Sequence, residues 1–187
     1  IGGERAVTAL IDRLGDGAVT TLVSNALVEI GSSSVRPLCD VLRTSSETRI
    51  RTTALDALRR IGDPRAAPTI IEELEANGGG LPEAMLVAAL GEIVVDDALL
   101  PLIERVDHEQ RDIRLQALIS LSSYLDHEST DVRISEALLQ RIDNGDEEEQ
   151  LIALLLLARA GDPRVARHAS LLAVEGTRAV DAANRVL

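Results

Sequence analysis

The chain has 187 residues, a net charge of −12, one Cys, one Tyr, and neither Phe nor Trp. Its 19 basic residues are all Arg, against 31 Asp and Glu. Phosphate contacts need an excess of Lys and Arg, and base stacking needs aromatics, so no nucleic-acid partner is expected. The longest apolar run, residues 151–158, falls far short of the roughly 20 residues of a membrane span, so no membrane partner is expected either. A single Cys makes neither an internal disulfide nor a multi-cysteine metal site. No basic, apolar-cored leader opens the sequence, and a cytoplasmic location is the expectation. The absence of Lys fits a codon bias toward Arg or a high-salt acidic surface, and neither names a function.

The elements follow a repeat. Ile1-Gly2 opens the chain, and Leu10, Ile11 and Leu14 mark the second helix of the opening unit. Residues 16–30 carry Val19, Leu22, Val23, Ala26, Leu27 and Ile30 at helical spacing. A second helix with Leu38, Cys39 and Leu42 follows. The clearest unit begins at residue 48. Ile50, Ala54, Leu55, Leu58 and Ile61 form one stripe, and Ala67, Ile70, Ile71 and Leu74 form the next. Between them, Gly62 suits a left-handed helix end, Asp63 a cap, and Pro64 a first helical position. Residues 81–93 and 111–124 are further first helices. Leu102, Ile103 and Val106 mark one second helix, and Leu138, Leu139 and Ile142 another. The last unit starts at 151 and repeats the turn as Gly161-Asp162-Pro163.

Ile30, Ile61, Ile93 and Tyr124 close successive runs at spacings of 31, 32 and 31. Ala160 follows after 36 and Val186 after 26. The period is near 31. No run alternates strictly with period two, so no sheet is expected. The reading is an all-α, right-handed α-solenoid of about six stacked antiparallel helix pairs, one array over residues 1–187. Both ends fall at one phase of the repeat, and Val180, Ala183, Val186 and Leu187 form an uncapped apolar stripe. A fragment of a longer array is the expectation.

The string around Ile50-Arg51, Ala54, Ala57-Leu58 and Ile61-Gly62-Asp63-Pro64-Arg65-Ala66 resembles the HEAT-like repeat of the phycobilisome-lyase type. Gly161-Asp162-Pro163-Arg164-Val165 and Gly2-Gly3-Glu4-Arg5-Ala6-Val7 resemble it too, and Ile113-Arg114 with Ala117-Leu118 echo its first-helix part. The unit from Arg111 departs, with a turn over 125–130 about five residues longer. The resemblance implies a repeat scaffold with Arg51 and Arg114 pairing with acids of neighbouring units.

Aligning the second helices puts Asp12, Asp40, Glu72 and Glu104 at one position, followed by Gln140. The adjacent position reads Arg13, Val41, Glu73, Arg105 and Arg141. Two readings of this row stand. Four carboxylates one repeat apart form a groove for a basic or mixed-charge segment of another protein, with Arg13, Arg105 and Arg141 beside them. Alternatively, the row keeps a solvated face soluble. Asp107-His108-Glu109 and Asp126-His127-Glu128 flank one helix about 20 Å long, by its 1.5 Å rise per residue, and read as helix-start chemistry rather than one metal site. The acids at 146–149 read as a helix start, Cys39 as a core thiol, and His168 as a surface residue. Gly78-Gly79-Gly80 reads as a joint, lacking the Lys of a phosphate loop.

The expected function is a non-catalytic protein-interaction scaffold using the second-helix surface, with no cofactor and no metal. The alternative is a bilin lyase-like, chromophore-handling protein, which some relatives of this repeat type resemble.

Overall fold

A computed structural model describes residues 2–76, 80–125 and 131–174. Among these residues every regular element is helical. The α-helices are α1 (Gly2–Ile11), α2 (Thr20–Ile30), α3 (Val35–Thr44), α4 (Thr48–Ile61), α5 (Ala67–Glu75) and α6 (Glu83–Ile93). They continue with α7 (Asp96–Arg105), α8 (Arg111–Leu121), α9 (Val132–Asn144), α10 (Glu147–Arg159) and α11 (Val165–Val174). Tight 3-10 turns lie at Gly31–Ser33, Pro64–Ala66 and Ser122–Tyr124, the last two where α-helix is expected from the sequence. Gly78, Gly79, Asp126, His127, Glu128 and the stripe from Val180 to Leu187 lie outside the described residues.

Helices of 9–14 residues are marginal alone, so their apolar faces must be buried to hold them. The chain forms two compact bodies, Ile1–Ala98 and Leu99–Leu187. In the N-terminal body, α1 packs on α3 and α3 on α5, while α2 packs on α4 and α4 on α6. This makes a layer of second helices against a layer of first helices. The closest pairs join a second helix to the first helix that follows it, α3 to α4 and α5 to α6. Leu27, Leu38, Leu42, Leu58, Ile70 and Leu90 are fully buried between the layers. In the C-terminal body, α9 and α10 form the closest pair, with α8 and α11 also against α10. Leu118, Leu138 and Leu157 are fully buried there.

The turn chemistry is read directly from the residues. Gly62 (φ 67°) and Gly161 (φ 69°) close their first helices in the left-handed conformation. Asp63 then accepts from the Arg65 backbone N–H at 3.0 Å and from its guanidinium. Asp162 holds Arg164 in the same way, and Asp131 holds Arg133. Asp-x-Arg is thus a repeated starter of second helices.

The equivalent of Gly62 in the following repeat is Val94, with φ 48° and 43 % exposure. A β-branched residue is strained there, by roughly 1–2 kcal/mol for an L residue. Val94→Gly is expected to raise stability by about 1 kcal/mol in a urea melt. A less stable variant would show that the Val94 side chain contributes more than its backbone strain costs.

Candidate interaction surface

The second-helix layer of the N-terminal body presents its acids outward. Asp12 follows the end of α1, Asp40 sits on α3 and Glu72 on α5, and all three are exposed. Among the described residues no cation pairs with Asp12 or Asp40. Glu72 accepts from Arg43 of the neighbouring α3, at 3.2 Å from Nε and 3.1 Å from a terminal nitrogen. Arg13 is exposed and lies 3.6 Å from Asp16. In the C-terminal body, Glu104 is exposed on α7 and lies 3.3 Å from Arg105, which is mostly covered.

Arg141 takes a different place from the other six. It is 6 % exposed, and its guanidinium lies 3.1 Å from Asp107 and 3.4 Å from Glu149. It faces the interior of its body instead of a partner. The position beside the acid row is exposed at Arg13 and turned inward at Arg141. Glu73 shows the same inward turn, with a side chain 14 % exposed and an ion pair to Arg51.

Arg51 and Arg114 tie successive helices together. Arg51 starts α4 and donates its Nε to the Leu42 carbonyl at 2.9 Å, closing the end of α3. It pairs with Glu73 of the following helix α5, within its own repeat. Arg114 donates to the carbonyls of His108 and Glu109, each at 2.9 Å. Its acid partner is Glu149 of the next repeat, at 2.8 Å.

Glu149 is the least visible of these groups in the sequence. Its neighbours mark a helix start, and Asp146 and Glu149 indeed form a reciprocal capping box. Glu149 is also 0 % exposed and takes Arg114 on one oxygen and Arg141 on the other. The only sequence signal for this role is the Asp-x-x-Glu spacing after Gly145. The burial comes from packing of α10 on α9.

Arginine rungs recur about one repeat apart. Arg43 reaches Glu72, Arg59 reaches Glu92, Arg60 reaches Asn25, and Arg65 reaches the Ser32 carbonyl. In the C-terminal body Arg111 reaches Asp146 and Glu148, which holds its guanidinium far above the ordinary range. An arginine fork suits such roles, since it binds two acceptors at once and stays charged. Much of the positive charge is therefore tied between repeats, while Asp12 and Asp40 remain open.

Two caps carry a pH signature. The Arg164 guanidinium holds the Asp162 carboxyl at about 2, below its ordinary 3.8, and Arg133 does the same for Asp131. A carboxyl lowered on folding stabilises the native state above the unfolded value, and loses that contribution as pH falls through the folded one. The window here runs from about pH 4 down to about pH 2. Asp162→Asn is expected to lower stability at pH 7, to fall less steeply across that window, and to converge with the wild type near pH 2. Parallel urea melts check this, and equal acid slopes would contradict it.

Other candidates resolve into structure. Cys39 is buried, and burial pushes its thiol up from the ordinary value, so it packs as a small apolar group. His108 accepts the Gln110 N–H at 3.1 Å, and His168 lies 3.5 Å from Asp143 with its side chain only 17 % exposed. Among the described residues, no group of three His, Cys, Asp or Glu side chains is placed to hold a metal ion. No described helix is long and apolar enough to cross a membrane.

The profile of the PBS lyase HEAT-like repeat matches residues 50–76. That stretch covers most of α4, the Gly62-Asp63-Pro64 turn and α5, where the caps and the Arg51 pair lie. The chain thus carries a HEAT-like repeat within an all-helical fold, the architecture of a helical repeat protein. No curated protein matches the chain in sequence.

Proposed function

We propose that the chain is a non-catalytic scaffold that binds a basic segment of another protein on its second-helix surface. Each body is read as a segment of right-handed α-solenoid with a period near 31. The observation that carries the function is the contrast between Arg and acid placement in the N-terminal body. Arg43, Arg51, Arg59 and Arg65 are engaged within and between repeats, while Asp12, just after α1, and Asp40 on α3 stand exposed without a paired cation among the described residues. Glu72 extends the row and Arg43 shares it. Arg13 borders it, and Glu104 with Arg105 forms a comparable exposed pair on α7.

A row of like charges on a rigid helical layer favours a partner with cations at matching intervals, and steers its approach. The test is a fluorescein-labelled peptide of alternating glycine and lysine, followed by anisotropy. The wild type should bind saturably, and more weakly as salt screens the charges. The triple variant Asp12→Arg, Asp40→Arg, Glu72→Arg should bind at least about tenfold more weakly, the equivalent of about 1.4 kcal/mol. Equal affinity for both chains would sink the reading.

A further inference from the structure

We infer that the groove between α8 and α10 docks an amphipathic helix of a partner protein, with an apolar face in the groove and a Lys or Arg at its acidic mouth. Where the two helices start lies a recess of about 430 Å³, lined by Arg111, Asp146, Glu147, Glu148 and Leu151. Its wall is mostly apolar. Leu151 supplies part of that wall. The aliphatic stems of Arg111 and the glutamates add to it, with their charged ends toward water.

The apolar surface continues away from this mouth. Leu115 and Ile119 follow Arg111 at four-residue steps on one face of α8. Leu155 follows Leu151 in the same way on α10. Leu115, Leu151 and Leu155 are half-buried, and Ile119 is 54 % exposed. From Arg111 to Ile119 the strip runs about 12 Å, by the 1.5 Å rise per residue. A docked helix covers such a strip with apolar residues at i, i+4 and i+7.

The charges select the partner. Arg111 is already engaged, by Asp146 at 2.6 Å and Glu148 at 2.5 Å. Glu147 is exposed and meets no cation among the described residues. The mouth thus sets three carboxylates against one guanidinium. A net negative rim over an apolar floor repels an acidic segment and attracts one that ends its apolar face in a cation. Among the described residues, no three acids or other ligands are placed to hold a metal ion. A small organic cation would fill the mouth and leave Leu115, Ile119 and Leu155 in water. A helix with a Lys or Arg at one end covers both parts. The groove lies on first helices of the C-terminal body, so the inference goes beyond the acidic second-helix surface and does not depend on it.

The test is an amide NMR titration with a blocked leucine–alanine helical peptide carrying two lysines at one end. Saturable shifts are expected at Leu115, Ile119, Glu147 and Leu151. Ile119→Ser should weaken binding about tenfold, through the loss of one apolar side chain from the contact. Glu147→Lys should weaken it about fivefold, because it reverses a rim charge and breaks no pair that holds the fold. The peptide with glutamates in place of lysines should bind at least about tenfold more weakly. The variant Asp12→Arg, Asp40→Arg, Glu72→Arg should match the wild type at these amides, so this inference and the scaffold reading fail separately. The absence of saturable shifts, or an unchanged affinity in either groove variant, would overturn the groove as a site. Equal shifts with the glycine–lysine peptide would overturn it too, by reducing the mouth to an acidic patch. Equally tight binding of spermidine, or dimerisation of the chain that Ile119→Ser abolishes, would overturn the assigned occupant.

Discussion

Glu149→Ala is expected to cost about 3–5 kcal/mol, the range for removing one partner of a buried ion pair. Glu149 is 0 % exposed and lies between Arg114 and Arg141. Without it, Arg141 remains 6 % exposed, with Asp107 as its acid partner among the described residues. The buried cation, more than the lost contact, sets the size of the effect. The turn before α10 is built for this carboxylate. A Cβ on Gly145 would come within 2.5 Å of the Arg141 carbonyl and 2.9 Å of the Glu149 Cβ, so a larger residue would push the two helix ends apart. Glu149→Leu combined with Arg141→Leu should recover part of the loss, because apolar replacements of a buried pair are often neutral. Urea unfolding followed by circular dichroism measures all three. A Glu149→Ala variant within 1 kcal/mol of the wild type, roughly the cost of a surface pair, would remove the buried cluster from the account.

Leu58→Ala should cost about 2–5 kcal/mol, the range for truncating a buried leucine. Leu58 is fully buried on α4, the helix that packs on α2, α3 and α6. A cavity there is bordered by several helices, and collapse of one leaves the others in place. Leu22→Ala is the matched control, since Leu22 is 69 % exposed on α2. Its effect should stay within about 0.5 kcal/mol. Equal losses in the two variants would mean that the helical stripe was assigned to the wrong face.

The sequence is most legible where local chemistry decides the structure. The stripe from Ile50 to Ile61 and the Gly62-Asp63-Pro64 turn predict α4 with its observed bounds and its left-handed end. The repeated turn at Gly161 behaves alike. Legibility weakens where backbone groups set boundaries. Residues 16–19 extend the apolar stripe of α2, yet the helix starts at Thr20, whose hydroxyl bonds back to the Asp16 and Leu14 carbonyls. The start of α10 is the opposite case: the acids at 146–149 mark it, and the helix begins at Glu147 on the capping box of Asp146 and Glu149. Legibility is lowest for charged side chains. Arg13 and Arg141 share one register position, but Arg13 is exposed and Arg141 buried. Position on a helix fixes a direction, and the facing helix decides whether that direction meets water. For Arg141 the facing group is the start of α10, placed by a repeat whose 36-residue spacing departs from the period.

The most direct test of the acidic second-helix surface is an affinity pull-down from source lysate, read by mass spectrometry. The wild-type chain is compared with the variant Asp12→Arg, Asp40→Arg, Glu72→Arg, after circular dichroism shows equal helicity. The account predicts a partner with a basic segment, held by the wild type, released by the glycine–lysine peptide and lost from the variant. The same partner held equally by both chains would contradict it and reduce the row to a solvated face.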